Sequence, residues 1–170
     1  MFRKILVVLL IALIATTASA QQESVRGGAR DRAPVIDARD FNLEKYEGKV
    51  VVLAFWQALE CAACESYVPW LAEMQTRYLE EGLVIVAVNQ DLQTAAATDW
   101  LPKIHSRSEI VIDATRKLAA NYQIKGVPST LFFDRNLELA GNVNGFVPEE
   151  SASLEKVIKL LVEQEYAEEE

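Results

Sequence analysis

Residues 50–64 read VVVLAFWQALECAAC, a stretch that begins with an apolar run and ends in two cysteines three positions apart. The first seven residues are apolar throughout, which is typical of a strand buried on both faces of a parallel sheet. Cys61 and Cys64 follow this predicted strand and are the only cysteines in the chain. Because two thiols at this spacing can close and reopen a small disulfide, we place the candidate chemistry at this pair.

The segment after the cysteines has the spacing of a helix. Apolar side chains recur at helical intervals over residues 64–81, Pro69 predicts a kink, and Gly82 ends the segment. We expect Cys61 at the helix N-terminus, where unpaired N–H groups and the helix dipole favour an anion. Cys61 is therefore predicted to be the exposed nucleophilic thiol, and Cys64 the more buried resolving thiol.

The remaining segments predict a mixed α/β sheet. Further strands are expected at 35–37, 83–88, 110–112, 130–133 and 137–140, and further helices at 94–106, 115–122 and from about 148 onward. The order is strand, helix, strand, helix, then a hairpin and a last helix. This order predicts a parallel pair followed by an antiparallel pair, with helices on both faces of the sheet.

Length and charge narrow the class of protein. A chain of 170 residues, 51% hydrophobic and 25% charged, predicts one globular domain. The net charge of −8 argues against nucleic acid, which selects basic surfaces. It also argues against an anionic membrane surface as the partner.

The N-terminal segment reads as a targeting sequence. Arg3 and Lys4 precede an apolar run at 5–15, and an A-x-A pattern ends at Ala20. This layout predicts a signal peptide over residues 1–20, cleaved after Ala20, and export to the periplasm or beyond. The run is short for a membrane span, so we expect no stable span after cleavage, and an uncleaved anchor remains the alternative.

Export bears on the chemistry of the cysteines. In an oxidising compartment a cysteine pair is either a structural bridge or a redox centre. A loop of two residues constrains the unfolded chain little, which favours the redox function. The rest of the chain is divided into a polar, flexible linker at 21–33, the folded domain at 34–163 and an acidic, solvated tail at 164–170.

A second motif supports the assignment of the pair. Residues 126–130 read GVPST and precede a predicted strand, so the bond before Pro128 is a candidate for the cis form. A cysteine pair at a helix start together with such a proline loop resembles the thioredoxin fold. The resemblance implies a three-layer α/β/α sandwich with a central mixed sheet of four to five strands. It also implies that Pro128 packs against the cysteines and that the Val127 backbone pairs with a substrate strand.

Within that superfamily the chain is most similar to the exported TlpA/ResA-like thiol–disulfide oxidoreductases. The similarity rests on the strand at 48–56, on Pro69 and on the strand at 85–89, and it covers residues 35–162. It implies a Cys61–Cys64 redox-active disulfide that exchanges with cysteines of exported proteins and with a redox partner protein. We expect a monomer that binds neither a cofactor nor a metal.

Four positions depart from the family pattern. Glu60 stands where these families have Trp, and Ala63 where they have Pro. Ala54 and Tyr67 replace carboxylates, so no obvious base remains to take the proton of Cys64. Tyr67 is expected on the helix surface or lining a groove.

These departures leave two other functions open. One is a binding module that keeps the fold and recruits a partner beside Pro128 after catalysis has decayed. The other is a Cu(I)-binding protein, because two thiolates suit a soft metal. His105 is the only histidine, and with two cysteines it falls short of the four ligands of structural zinc.

Overall fold

A computed structural model describes residues 33–164 of the chain. Its elements are β1 (Val35–Asp37), a 3-10 turn (Leu43–Tyr46), β2 (Val50–Trp56), α1 (Cys64–Tyr78), β3 (Leu83–Asn89), α2 (Thr94–Ala97) with a 3-10 continuation (Thr98–Lys103), β4 (Glu109–Ile112), α3 (Lys117–Asn121), β5 (Ser129–Phe133), β6 (Leu139–Asn144), a 3-10 turn (Pro148–Glu150) and α4 (Ser151–Val162). The predicted signal peptide, nearly all of the predicted linker and most of the predicted acidic tail lie outside the described residues. Over residues 33–164, none of the helices has the length and apolar character needed to span a membrane.

The strands form one mixed sheet in the order β1-β4-β3-β2-β5-β6. The neighbouring strands β1, β4, β3 and β2 are parallel to one another. β5 pairs antiparallel with β2 on one side and with β6 on the other. The mixed α/β class is confirmed, but the expected four to five strands are wrong, because the sheet has six. The lower count came with the family resemblance, whereas all six strand segments expected from the residues are paired in the sheet, including the edge strand β1, whose three residues pair with β4 although half of the Val35 surface is exposed. So short and exposed a segment carries little hydrophobic periodicity.

β2 lies at the centre of three layers. All seven of its residues are buried, and alternate side chains point to opposite faces of the sheet. Val52 and Trp56 pack in the cluster that contains the buried faces of α1 and α4. Leu53 and Phe55 pack in a second cluster, together with residues of α3. This alternation produces the α/β/α sandwich.

Three helices are shorter than their predicted segments. α1 ends at Tyr78, with Pro69 inside it, and a turn leads to Gly82. The segment 94–106 holds only one turn of α-helix before it tightens into 3-10 helix. α3 begins at Lys117 because Arg116 has a left-handed backbone, with φ of 57°.

The topology brings several chain segments to one end of the sheet. β2, β3 and β4 run parallel, so their carboxyl ends lie at the same edge. β5 runs the opposite way and begins at that edge, with Ser129 opposite Phe55. The cysteine segment after β2 and the proline loop before β5 therefore start from adjacent strand ends.

Candidate active site

Cys61 and Cys64 form a disulfide with a Cα–Cα distance of 5.3 Å. Cys64 is fully buried at the start of α1, whereas Cys61 is partly exposed. The two linked residues therefore differ in exposure, and Cys61 is the more accessible of the two. Cys61 lies in a turn before the helix rather than in its first turn, since the Cys64 N–H donates to the Cys61 carbonyl at 3.0 Å and α1 begins only there.

A buried carboxylate holds the connection between β2 and the cysteines. The side chain of Asp91 accepts hydrogen bonds from the backbone N–H of Ala58 at 2.7 Å and of Leu59 at 3.2 Å. It also accepts one from the Asn89 side-chain amide at 2.6 Å, and Asp91 is only 2% exposed. Sequence reasoning missed this residue. The available signal was its position two residues after β3, beside the strand that leads to Cys61.

The family carboxylate positions and Glu60 offer no buried acid. Ala54 is fully buried at the centre of β2, so its position has no group that can accept a proton. Glu60 is exposed and has a left-handed backbone, with φ of 56°. The charge of Glu60 therefore sits in solvent beside Cys61.

The proline loop has the conformation expected from its sequence. The Val127–Pro128 peptide bond is cis, and Pro128 is buried. The loop is held by the Gly145 N–H, which donates to the Pro128 carbonyl at 2.8 Å, and by the Ser129 hydroxyl, which donates to the Gly126 carbonyl at 2.7 Å. Within residues 33–164, neither the N–H nor the carbonyl of the half-buried Val127 has a hydrogen-bond partner.

Tyr67 corrects one expectation. It does not lie on the helix surface, because its side chain is fully buried and its Oη lies 2.7 Å from Thr130 Oγ1. The residue one turn after Cys64 faces the sheet, so the aromatic ring packs in the core against Trp70 and Phe146. Burial raises the pKa of the Tyr67 phenol, so it stays protonated at neutral pH and cannot serve as a base.

The metal-ligating side chains do not converge. Within residues 33–164, no group of three or more His, Cys, Asp or Glu side chains is arranged to hold a metal ion. His105 is half-buried in the loop before β4, where its Nδ1 accepts the Arg107 N–H at 3.1 Å. Burial, together with the charge of Arg107, lowers the pKa of His105.

Comparisons with known proteins agree with this geometry. ResA, a thiol-disulfide oxidoreductase of Bacillus anthracis, is 24% identical over 110 residues, which cover 65% of this chain and 63% of that protein. The match thus spans less than two thirds of the relative. A solved structure from Chlorobium tepidum, provisionally assigned as thiol:disulfide interchange protein DsbE, superposes with a TM-score of 0.66 at 31% identity and covers 71% of this chain and 84% of that one.

A second solved structure from Chlorobium tepidum TLS, named as a thiol:disulfide interchange protein of the thioredoxin family, shares the fold. It superposes with a TM-score of 0.60 at 20% identity, over 72% of this chain and 86% of that one. Residues 31–141 match the model of the AhpC/TSA family. The chain therefore belongs to the AhpC/TSA family, and its fold is thioredoxin-like.

Proposed function

We propose that this protein is an exported thiol–disulfide oxidoreductase that exchanges the Cys61–Cys64 disulfide with cysteines of other proteins. One observation carries the proposal: a partly exposed Cys61 is linked to a fully buried Cys64, at the sheet end where the proline loop leads into β5. An accessible sulfur can be attacked by a substrate, while a buried partner attacks only the mixed disulfide next to it.

The exchange transfers two electrons in two steps. The reduced protein starts when the Cys61 thiolate attacks one sulfur of a substrate disulfide, so that a mixed disulfide forms and one substrate thiolate leaves. The Cys64 thiolate then attacks the Cys61 sulfur, which releases the second substrate thiolate and closes the Cys61–Cys64 disulfide. Run in reverse, the same steps oxidise a substrate dithiol.

The proline loop supplies the binding surface for the substrate backbone. Val127 has no hydrogen-bond partner within residues 33–164 for either backbone group, so both are available to an extended chain. Pairing of this kind would align a substrate cysteine by main-chain hydrogen bonds, independently of its side chains. Pro128 contributes no N–H of its own to compete for the substrate carbonyls.

Proton transfer in the second step differs from a mechanism with a buried base. Ala54 supplies no acceptor, and the pKa of Tyr67 is raised by burial. We propose that the Cys64 proton passes to water or to the departing substrate thiolate. Solvent can reach the site through the partly exposed Cys61.

Export is supported by the sequence alone. A cationic start, a short apolar run and an A-x-A end over residues 1–20 have the layout of a signal peptide cleaved after Ala20. An oxidising compartment would supply substrates with cysteines in both redox states. We propose the periplasm or another exported location, with the linker 21–33 and the tail 164–170 flanking the domain at 34–163.

Turnover with single-cysteine variants tests the proposal. The 170-residue chain should reduce insulin disulfides with a thiol donor, and Cys61→Ser should abolish that activity. Cys64→Ser should accumulate a mixed disulfide through Cys61, visible as a covalent adduct by mass spectrometry under non-reducing conditions. The matched control is the double serine variant, which should form no adduct.

The same variants separate the alternatives. Equal turnover of Cys61→Ser and the unaltered protein would refute the oxidoreductase. Partner capture by the double serine variant without any turnover of the unaltered protein would instead favour a binding module. Stoichiometric binding of Cu(I) by the reduced protein, again without turnover, would favour the metal-binding function.

A further inference from the structure

We propose that Asp91 is a positioning residue that stabilises the disulfide form of the Cys61–Cys64 pair. The inference deepens the proposed function, on which it rests for its biological meaning. Asp91 is 2% exposed, and its two carboxylate oxygens accept the N–H groups of Ala58 and Leu59. These two residues form the middle of the connection that joins β2 to Cys61.

Asp91 is itself held in place by two hydrogen bonds with Asn89. Its Oδ2 accepts the Asn89 side-chain amide at 2.6 Å, and its own N–H donates to Asn89 Oδ1 at 3.2 Å. Asn89 is the last residue of β3 and is fully buried, with its Cα in register with Trp56. The carboxylate is thus fixed to the sheet, and it fixes the connection in turn.

The distance to the redox pair is bounded by the chain. Asp91 Oδ1 lies 3.2 Å from the Leu59 nitrogen, and Cys61 follows two residues later. Two residues span at most about 7 Å, so the Cys61 nitrogen lies within about 10 Å of the carboxylate. At that distance a charge with low exposure is incompletely screened by salt.

Two effects of Asp91 act in the same direction. The anchored connection limits where Cys61 can move away from Cys64, which favours ring closure over the open dithiol. The negative charge disfavours a second negative charge on the Cys61 thiolate, which exists only in the reduced form. Asp91 should therefore make the pair harder to reduce.

The test compares two buried carboxylates. In Asp91→Asn the charge is lost, and the amide N–H2 faces a backbone N–H that needs an acceptor. We expect the equilibrium constant with glutathione to shift about three- to tenfold toward the dithiol, or about 15–30 mV to less negative potential. Glu60 and Arg116, the charged residues that line the pocket beside Asp91, are unchanged in this variant.

Asp113→Asn is the matched control. Asp113 is 1% exposed and also accepts two backbone N–H groups, from Leu118 at 3.2 Å and Ala119 at 2.8 Å, but these begin α3 rather than the cysteine segment. The control should lose folding stability and shift the equilibrium with glutathione less than twofold. A shift of Asp91→Asn no larger than that of Asp113→Asn, or in the opposite direction, would overturn the inference.

A measurement on the unaltered protein covers the case in which Asp91→Asn does not fold. Coupling is reciprocal, so if Asp91 favours the disulfide, the disulfide must favour the hydrogen bonds of Asp91. Reduction should lower the hydrogen-exchange protection of the Ala58 and Leu59 amides and leave the Leu118 and Ala119 amides unchanged. Unchanged protection at Ala58 and Leu59 would contradict the inference. Both readouts are independent of turnover. The inference about Asp91 can therefore fail while the proposed function stands, and the proposed function can fail while the inference stands.

Discussion

The phenol oxygen of Tyr67 lies 2.7 Å from Thr130 Oγ1, and both side chains are fully buried. Tyr67 comes one turn after Cys64 in α1, and Thr130 comes two residues after Pro128 in β5. This hydrogen bond therefore joins the element that carries the cysteines to the element that carries the cis-proline loop. The two parts of the site are connected through the core.

Tyr67→Phe should destabilise the protein by about 1–2 kcal/mol, because it leaves the buried Thr130 hydroxyl without its partner. Urea unfolding of the oxidised form measures the loss. Tyr78→Phe is the control, since it removes a phenol from the same helix where Oη donates to Glu155, a carboxylate that Arg77 also contacts. The control should cost less, because the partly exposed Glu155 carboxylate keeps Arg77 and water as partners. Equal losses of unfolding free energy in the two variants would contradict a stabilising role of the buried Tyr67–Thr130 hydrogen bond.

Arg135→Met should cost more stability than the absence of an ion pair between Arg135 and any other residue of 33–164 suggests. The guanidinium donates to the carbonyls of Gly48 at 3.0 Å, Glu81 at 2.9 Å and Val162 at 3.0 Å, and so joins the ends of three separate segments. Loss of these charge-assisted hydrogen bonds is expected to cost about 2–3 kcal/mol, while methionine keeps much of the apolar stem. Thermal and urea unfolding measure the effect.

Arg77→Met provides the comparison for this prediction. Arg77 forms ion pairs with Glu73 and Glu155, but nearly half of its side chain is exposed. Exposed ion pairs contribute less than about 1 kcal/mol, so this variant should be the milder of the two. The opposite ranking would show that the carbonyl contacts of Arg135 contribute little.

Gly82→Ala should destabilise the turn between α1 and β3. Gly82 has φ of 89°, and an added Cβ would lie 3.0 Å from Arg135 Nη1. A left-handed backbone costs an L-residue about 1–2 kcal/mol, before any displacement of Arg135. Gly141→Ala is the control, since no atom of the described residues lies within 4 Å of its Cβ position and its φ is not left-handed. Unfolding free energies that differ by less than about 0.5 kcal/mol between the two would refute this account.

His105 should titrate below the ordinary histidine range. Burial, followed by the charge of Arg107, lowers the pKa of His105 in the folded state, while the unfolded chain binds the proton near pH 6.5. The unfolded state therefore binds more protons, and the contribution of His105 to stability is present above about pH 6.5 and is lost as the pH falls through its folded pKa.

The single histidine makes this prediction simple to check. An NMR titration of the imidazole protons should show one midpoint below that of a histidine in the urea-unfolded chain. The drop in unfolding free energy below about pH 6.5 should become smaller in His105→Gln. A folded-state midpoint at or above the unfolded one would be the contrary result.

The parts of the fold that could be predicted carry strong local signals. β2 is apolar throughout, the cysteine pair is unique, and the proline before Ser129 stands in a tight turn. The contact between Tyr67 and Thr130 could not be predicted from such signals, because helical spacing does not tell whether a tyrosine, with its apolar ring and polar hydroxyl, faces the sheet or the solvent. Asp91 was missed because its bonds to the Ala58 and Leu59 N–H groups are contacts with backbone, which no residue pattern indicates, and its position two residues after β3 was the only signal.

The pairing of the short strands was the other feature that the sequence could not predict. β1 and β4 were expected as short strands, but three or four residues show too little periodicity to indicate a place in the sheet. Their pairing depends on which edge remains open after β2 and β3 associate. This is a property of the whole sheet rather than of either segment.

The pairing of β1 has a consequence for the order of folding. Val50 pairs with Leu83, whereas Val35 pairs only with β4, starting at Ile110, so the first strand in the chain needs a partner that comes much later. Closing the longer loop costs more entropy, and the gain is only three paired residues. We therefore expect β1 to dock last and to detach first. In a chain that crosses a membrane N-terminus first, β1 would therefore emerge first but stay unpaired until the rest of the sheet, with β4 at its open edge, has formed.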